Sequence, residues 1–107
     1  MQPIARKLVT VVTEAVIEKE LIGEIEKLGV SGYTITDARG KGHRGVRNAG
    51  WEHGANIRIE LVCEEQLAQK LEIFLNEHFC RNYAMFLFVS DVHVLIPGKF
   101  SDEEQKK

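Results

Sequence analysis

The segment 39–54, RGKGHRGVRNAGWEHG, contains the residue types that bind phosphate groups. Glycine permits positive φ and lets backbone N–H groups approach an anion closely. Arginine offers a planar fork to phosphate oxygens, lysine a point charge and histidine a titratable donor. The residues in question are Gly40, Lys41, Gly42, His43, Arg44, Gly45 and Arg47. Their combination predicts a site for a small phosphate-bearing molecule.

The same segment has a simpler interpretation as a solvated, flexible loop whose charges maintain solubility. GKGHRGVRN is not a Walker loop, which requires GxxxxGK[ST] before a helix, nor a dinucleotide fingerprint, which requires GxGxxG at a strand-to-helix turn. Its length exceeds the usual hairpin loop of about two to five residues, and long loops are commonly functional or disordered. The segment alone therefore leaves both interpretations open.

The flanking sequence predicts two β-α-β units that position this segment. β-branched and alternating patterns predict strands, and apolar residues at helical spacing predict helices, the first ending at Gly29. The strands are predicted at 7–14, 32–38, 55–63 and 84–96, and the helices at 14–28 and from Glu64 onward. This order predicts an α+β, ferredoxin-like βαββαβ fold, with a four-stranded antiparallel sheet and both helices on one face.

The first and last strands are apolar on both faces. In the first strand, Leu8 and Val12 lie on one face and Val9 and Val11 on the other. In the last strand, Phe86 and Phe88 lie on one face and the remaining apolar residues on the other. A sheet face of this kind exposed to water would be an unusually large apolar patch. We therefore expect another subunit to cover it.

Composition and length limit the classes of protein. The 107 residues, 44% hydrophobic and 28% charged, predict one globular domain spanning 1–107 with a mobile charged tail at 99–107. A formal charge of −2 argues against a general nucleic-acid partner. No run approaches the about 18 apolar residues of a membrane span, so a cytoplasmic protein is expected. Cys63 and Cys80 lack metal-type spacing and are expected to be reduced thiols, and no structural metal is expected.

Residues 6–98 resemble the PII signal-transduction superfamily, and within it the SbtB-like, carboxysome-linked branch. The resemblance rests on KLVTVVTE, GVSGYTITDARGKGHRGVRNAG, GANIRIE and NYAMFLFVSDVHVL. It implies a homotrimer that binds AMP, cyclic AMP, ADP or ATP as effectors in clefts between subunits. It also implies a T-loop, at about 39–55, whose order changes with the nucleotide.

The resemblance further implies regulation of a sodium-dependent bicarbonate transporter in a carbon concentrating mechanism. The transporter would recruit the cytoplasmic protein to the inner face of the membrane, and bicarbonate is a candidate second ligand. A PII-like sensor of bicarbonate and ADP that acts on no transporter is an alternative.

Residue by residue, the resemblance implies two sets of contacts. The nucleotide-binding set comprises Gly32, Tyr33, Thr34, Thr36, Gly40, Lys41, Gly42, His43, Arg44, Arg47, Asn48, Phe88 and Ser90, of which Phe88 and Ser90 fall on the neighbouring subunit's wall. The partner-binding set in the loop comprises Asn48, Gly50, Trp51, Glu52 and His53. The chain departs from the branch in ending with GKFSDEEQKK, without a two-cysteine hairpin, so that redox function is not expected. The loop also lacks the hydroxyl that many PII proteins modify.

Three other functional classes compete with this interpretation. No Ser-His-Asp or Cys-His arrangement is suggested, so a regulator rather than an enzyme is expected, although slow hydrolysis of ATP or ADP near His43 is an alternative. An RNA-recognition module shares the element order but requires aromatic residues on the third strand, where Ile57, Arg58, Ile59 and Glu60 stand. Copper-tolerance-type trimers share the fold but lack the basic glycine-rich loop. Trp51 is either a partner anchor or packed on its own subunit.

Overall fold

The computed structural model describes residues 2–40 and 55–95. Met1, residues 41–54 and residues 96–107 lie outside the described residues, and with them most of the predicted T-loop and the predicted tail. In the part of the chain that is described, no helix is both long and apolar enough to cross a membrane.

Within the described residues, four strands and two helices follow one another in the predicted βαββαβ order. The elements are β1 (Ile4–Glu14), a 3-10 turn (Ala15–Ile17), α1 (Glu18–Lys27), β2 (Thr34–Ala38), β3 (Asn56–Cys63), α2 (Glu65–His78) and β4 (Met85–Val94). The sheet order is β2-β3-β1-β4, and every neighbouring pair is antiparallel. The predicted ferredoxin-like α+β fold is confirmed.

The boundaries differ from the prediction mainly at the first helix. Glu14 belongs both to the predicted strand at 7–14 and to the predicted helix at 14–28; it is the last residue of β1, with extended backbone angles of φ −73° and ψ 135°, and α1 begins only at Glu18, after the 3-10 turn. Glu14 pairs with Asn56 at the start of β3, so cross-strand pairing outweighs the local helical pattern there. The predicted stop at Gly29 is correct, since its φ of 116° lies in the region that favours glycine.

The core lies between the sheet and the two helices. Val9 and Val11 of β1 are buried, and the strict alternation in β3 buries its apolar residues on the same side. The other core residues include Leu21 and Ile25 of α1, Ala68, Leu71 and Leu75 of α2, and Ile57, Ile59 and Leu61 of β3. Both helices therefore cover one face, as predicted.

On the opposite face of the sheet, β4 exposes large apolar side chains that no helix among the described residues covers. Phe86 is 59% exposed and Phe88 41%, and their ring centroids lie 5.7 Å apart. Thr10, at the centre of this face, is buried, and its hydroxyl has no hydrogen-bond partner among the described residues. We refer to this surface as the open face.

Candidate functional site

The predicted site residues of β2 lie on the open face beside a pair of charged side chains. Thr34 and Thr36 are exposed and pair with Glu60 and Arg58 of β3, respectively. The Arg58 guanidinium donates to the Glu60 carboxylate at 3.1 Å. Hydroxyl, carboxylate and guanidinium groups are thus neighbours at this edge of the sheet, where they can contact a polar ligand.

Tyr33, just before β2, is tied to the end of α1. Its hydroxyl donates to Glu26 Oε2 at 3.3 Å. Desolvation and the nearby Glu26 carboxylate raise the pKa of the phenol above its ordinary value, so it remains a hydrogen-bond donor at neutral pH. The contact positions the residue between the first helix and the strand that carries the two threonines.

A cleft of about 480 Å³ opens beside Gly32 at the other end of β3. Its walls are the connection at residues 28–32, the end of β3 and the beginning of α2. Its polar side chains include Arg6, Glu64, Gln66 and Lys70, with Val62 and Leu67 among the apolar ones. The sequence did not predict this group of polar side chains, because Arg6 is about 60 residues away from the others along the chain and the four residues match no known motif.

The predicted site residues of β4 lie at the opposite edge of the sheet. One cross-strand row runs from Thr34 through Glu60 and Thr10 to Phe88. At roughly 4.8 Å per strand, three steps separate the two edges by about 14 Å. The single chain therefore does not bring Phe88 and Ser90 together with Thr34 and Thr36.

Most of the predicted phosphate and partner contacts lie outside the described residues. These are Lys41, Gly42, His43, Arg44, Arg47, Asn48, Gly50, Trp51, Glu52 and His53. Gly40 is described and exposed, and a Cβ built on Gly32 or Gly40 would meet no atom of residues 2–40 and 55–95 within 4 Å. With respect to those residues, each glycine borders space that a ligand could enter.

The described histidines and cysteines do not assemble a metal centre. Within residues 2–40 and 55–95, no group of three or more His, Cys, Asp or Glu side chains could hold a metal ion. His78 is exposed and its ring centroid lies 4.5 Å from that of Phe74. Cys63 is buried, Cys80 is partly exposed, and neither forms a disulfide.

Comparison with known proteins identifies the family of this architecture. The family described as "Nitrogen regulatory protein P-II" matches residues 6–99. A Thermus thermophilus protein described as a PII-like signaling protein is 43% identical, with a TM-score of 0.75, and the match covers 89% of this chain and 94% of that one. The regulatory description agrees with the expectation of a regulator rather than an enzyme.

Structures of CPII, a nitrogen regulatory PII-like protein from Thiomonas intermedia, have the same fold. The CPII structure bound to ADP and bicarbonate is 25% identical, with a TM-score of 0.74, and the match covers 90% of this chain and 94% of that one. Another, bound to ADP, AMP and bicarbonate, is 24% identical, has a TM-score of 0.75, and covers 89% of this chain and 100% of CPII.

Proposed function

Because the chain belongs to the P-II family of nitrogen regulatory proteins, we propose that it is a regulator that senses adenine nucleotides. It assembles as a homotrimer, and the nucleotide lies in the cleft between two subunits. The observation that carries this proposal is that CPII, which shares the fold along nearly the whole chain, has been found bound to ADP and bicarbonate.

The distribution of the candidate residues supports a site shared by two subunits. Thr34 and Thr36 lie at the β2 edge of the open face, whereas Phe88 and Ser90 lie at the β4 edge. One ligand could contact both groups if the β4 edge of one subunit approached the β2 edge of the next. The same assembly would cover the exposed rings of Phe86 and Phe88, which removes apolar surface from water.

The predicted T-loop supplies the phosphate contacts in this proposal. Lys41, Arg44 and Arg47 bind the phosphate oxygens, and the backbone around Gly40 and Gly42 approaches them. The adenine and ribose lie along residues 32–36, beside the polar side chains of Arg58 and Glu60. This assignment rests on the sequence resemblance and on the exposure of Thr34 and Thr36.

Control of a bicarbonate transporter is the proposed output. The loop tip, with Trp51 as its apolar anchor, contacts the membrane protein at its cytoplasmic face, as in the SbtB-like branch that the sequence resembles. Support for this step comes from that resemblance alone. A second candidate, a sensor of bicarbonate and ADP that acts on no transporter, is favoured by the bicarbonate found with ADP in CPII.

Calorimetry with AMP, cyclic AMP, ADP and ATP, each with and without bicarbonate, tests the proposal. Saturable binding of at least one nucleotide at one site per subunit is expected. Bicarbonate that strengthens ADP binding would favour the second candidate. No binding of any of the four nucleotides, with an assembled and folded protein, would overturn the nucleotide-sensing function.

A further inference from the structure

Three consecutive residues at the end of β1 connect two parts of the chain that are distant in sequence. The Ala15 N–H donates to the carbonyl of Ala55 at 2.9 Å. The Thr13 hydroxyl donates to the carbonyl of Ala84 at 2.8 Å, and Glu14 Oε2 accepts from the Ala84 N–H at 2.7 Å. We call residues 13–15, with these three hydrogen bonds, the β1 junction.

The first of these bonds fixes the exit of the predicted T-loop. Ala55 directly precedes β3, and Asn56, the next residue, pairs with Glu14. The Ala15 N–H is at the beginning of the 3-10 turn, where a backbone donor has no partner within the turn itself. Its bond to Ala55 therefore connects the loop exit to the end of β1.

The other two bonds fix the beginning of β4. The ladder between β1 and β4 ends with the pair Thr13 and Met85, so Ala84 lies one residue beyond it. Two side chains bind both backbone polar groups of Ala84 where the ladder has ended. The bond to the carboxylate is charge-assisted and therefore stronger than a neutral one, and the Thr13 side chain is held in place by burial.

We propose that the β1 junction couples the exit of the T-loop to the beginning of β4. A displacement of the Ala55 carbonyl moves or releases Ala15, whose backbone continues directly into the Glu14 and Thr13 groups that hold Ala84. The functional consequence rests on the proposed function. A movement of one subunit's loop would shift β4 of the same subunit, with Phe86 and Phe88, where that strand faces the neighbouring subunit. Glu14 and Thr13 are positioning residues in this role.

Ala15→Pro removes the loop side of the junction with little other change. Proline lacks the N–H that binds Ala55, and its ring and fixed φ are tolerated at the first position of a helical turn. Glu14 before it already has the extended conformation that proline requires of the preceding residue. Glu14→Ala removes the β4 side, and Glu14→Gln is the matched control because its amide oxygen can still accept from the Ala84 N–H.

Hydrogen exchange of the protein without nucleotide measures the coupling directly. In Ala15→Pro, we expect faster exchange not only around Asn56 but also at Ala84 and Met85, because the hydrogen bonds to Ala84 come from Thr13 and Glu14 and not from Ala15. In Glu14→Ala, we expect faster exchange at the beginning of β3 as well as at Ala84. The expected increase is about tenfold, the effect of losing one hydrogen bond, and Glu14→Gln, which keeps a neutral hydrogen bond, should show a clearly smaller increase than Glu14→Ala.

The two variants test the proposal from opposite sides, so a failure of either one to fold leaves the other test in place. The coupling would be overturned if a folded Ala15→Pro variant exchanged faster only at the beginning of β3, or a folded Glu14→Ala variant only at the beginning of β4. Because the measurement requires no nucleotide, its outcome is separate from that of the calorimetry. A protein that binds no nucleotide could still show the coupling, and a nucleotide sensor could lack it.

Discussion

At the scale of single residues, Arg44 and Arg47 of the predicted T-loop give the most specific prediction about nucleotide binding. Charge-assisted hydrogen bonds to phosphate contribute about 1.5–3 kcal/mol each, so Arg44→Ala or Arg47→Ala should weaken ADP binding about tenfold to a hundredfold. Adenosine, which lacks phosphate, should bind almost unchanged, and Arg44→Lys should restore only part of the loss because lysine has no fork. Calorimetry measures all three. An equal loss for adenosine and ADP would show that the arginines act through folding instead.

The two cysteines should differ in reactivity because Cys63 is buried and Cys80 is partly exposed. Burial, and to a smaller extent the Glu64 carboxylate, raises the pKa of the Cys63 thiol, so its reactive thiolate forms only at higher pH. With Cys80→Ser and Cys63→Ser as single-thiol variants, iodoacetamide at pH 8 should modify Cys80 faster than Cys63 by about tenfold or more. Unfolding in urea should remove the difference. Equal rates in the folded protein would contradict the burial of Cys63.

At the scale of elements, the glycine-rich loop between β2 and β3 is expected to act as the switch. Ordering a loop costs about 1–2 kcal/mol per residue, so a ligand or partner must offset that cost. Nucleotides with different phosphates should therefore protect residues 40–54 from hydrogen exchange to different extents, first at the base near Lys41 and Arg44. The loop has no Ser, Thr or Tyr, so the bound ligand is the expected signal. Identical exchange with and without each nucleotide would exclude this switch.

At the scale of the whole molecule, we expect contacts between the subunits of a trimer to bury the open face. Phe86→Asp would introduce an unpaired charge there, at a cost of about 3–5 kcal/mol if the face is buried, and should dissociate or unfold the assembly. Ile73→Asp is a matched control, because Ile73 is 60% exposed and Phe86 59%, but Ile73 lies on α2 rather than on the open face. Light scattering measures the mass. A monomer of 12.1 kDa for the wild type, or an intact trimer for Phe86→Asp, would contradict the proposed assembly.

The sequence by itself determined the element order and the orientation of the strands' faces. Alternation in β3 assigned Ile57, Ile59 and Leu61 to the core, and Gly29 marked the end of α1, because these signals depend only on neighbours along the chain. Local pattern placed Glu14 in both a predicted strand and a predicted helix, and pairing with Asn56 assigns it to β1.

Only the tertiary structure decided which distant residues meet. The sheet order separates Thr34 from Phe88 across two intervening strands, and the proposed site shared by two subunits follows from this separation. The cleft beside Gly32 and the hydrogen bonds from Thr13 and Glu14 to Ala84 join segments with no common spacing. Such contacts depend on which strands pair and in what register, because packing of the whole core, rather than any local run of residues, selects that pairing.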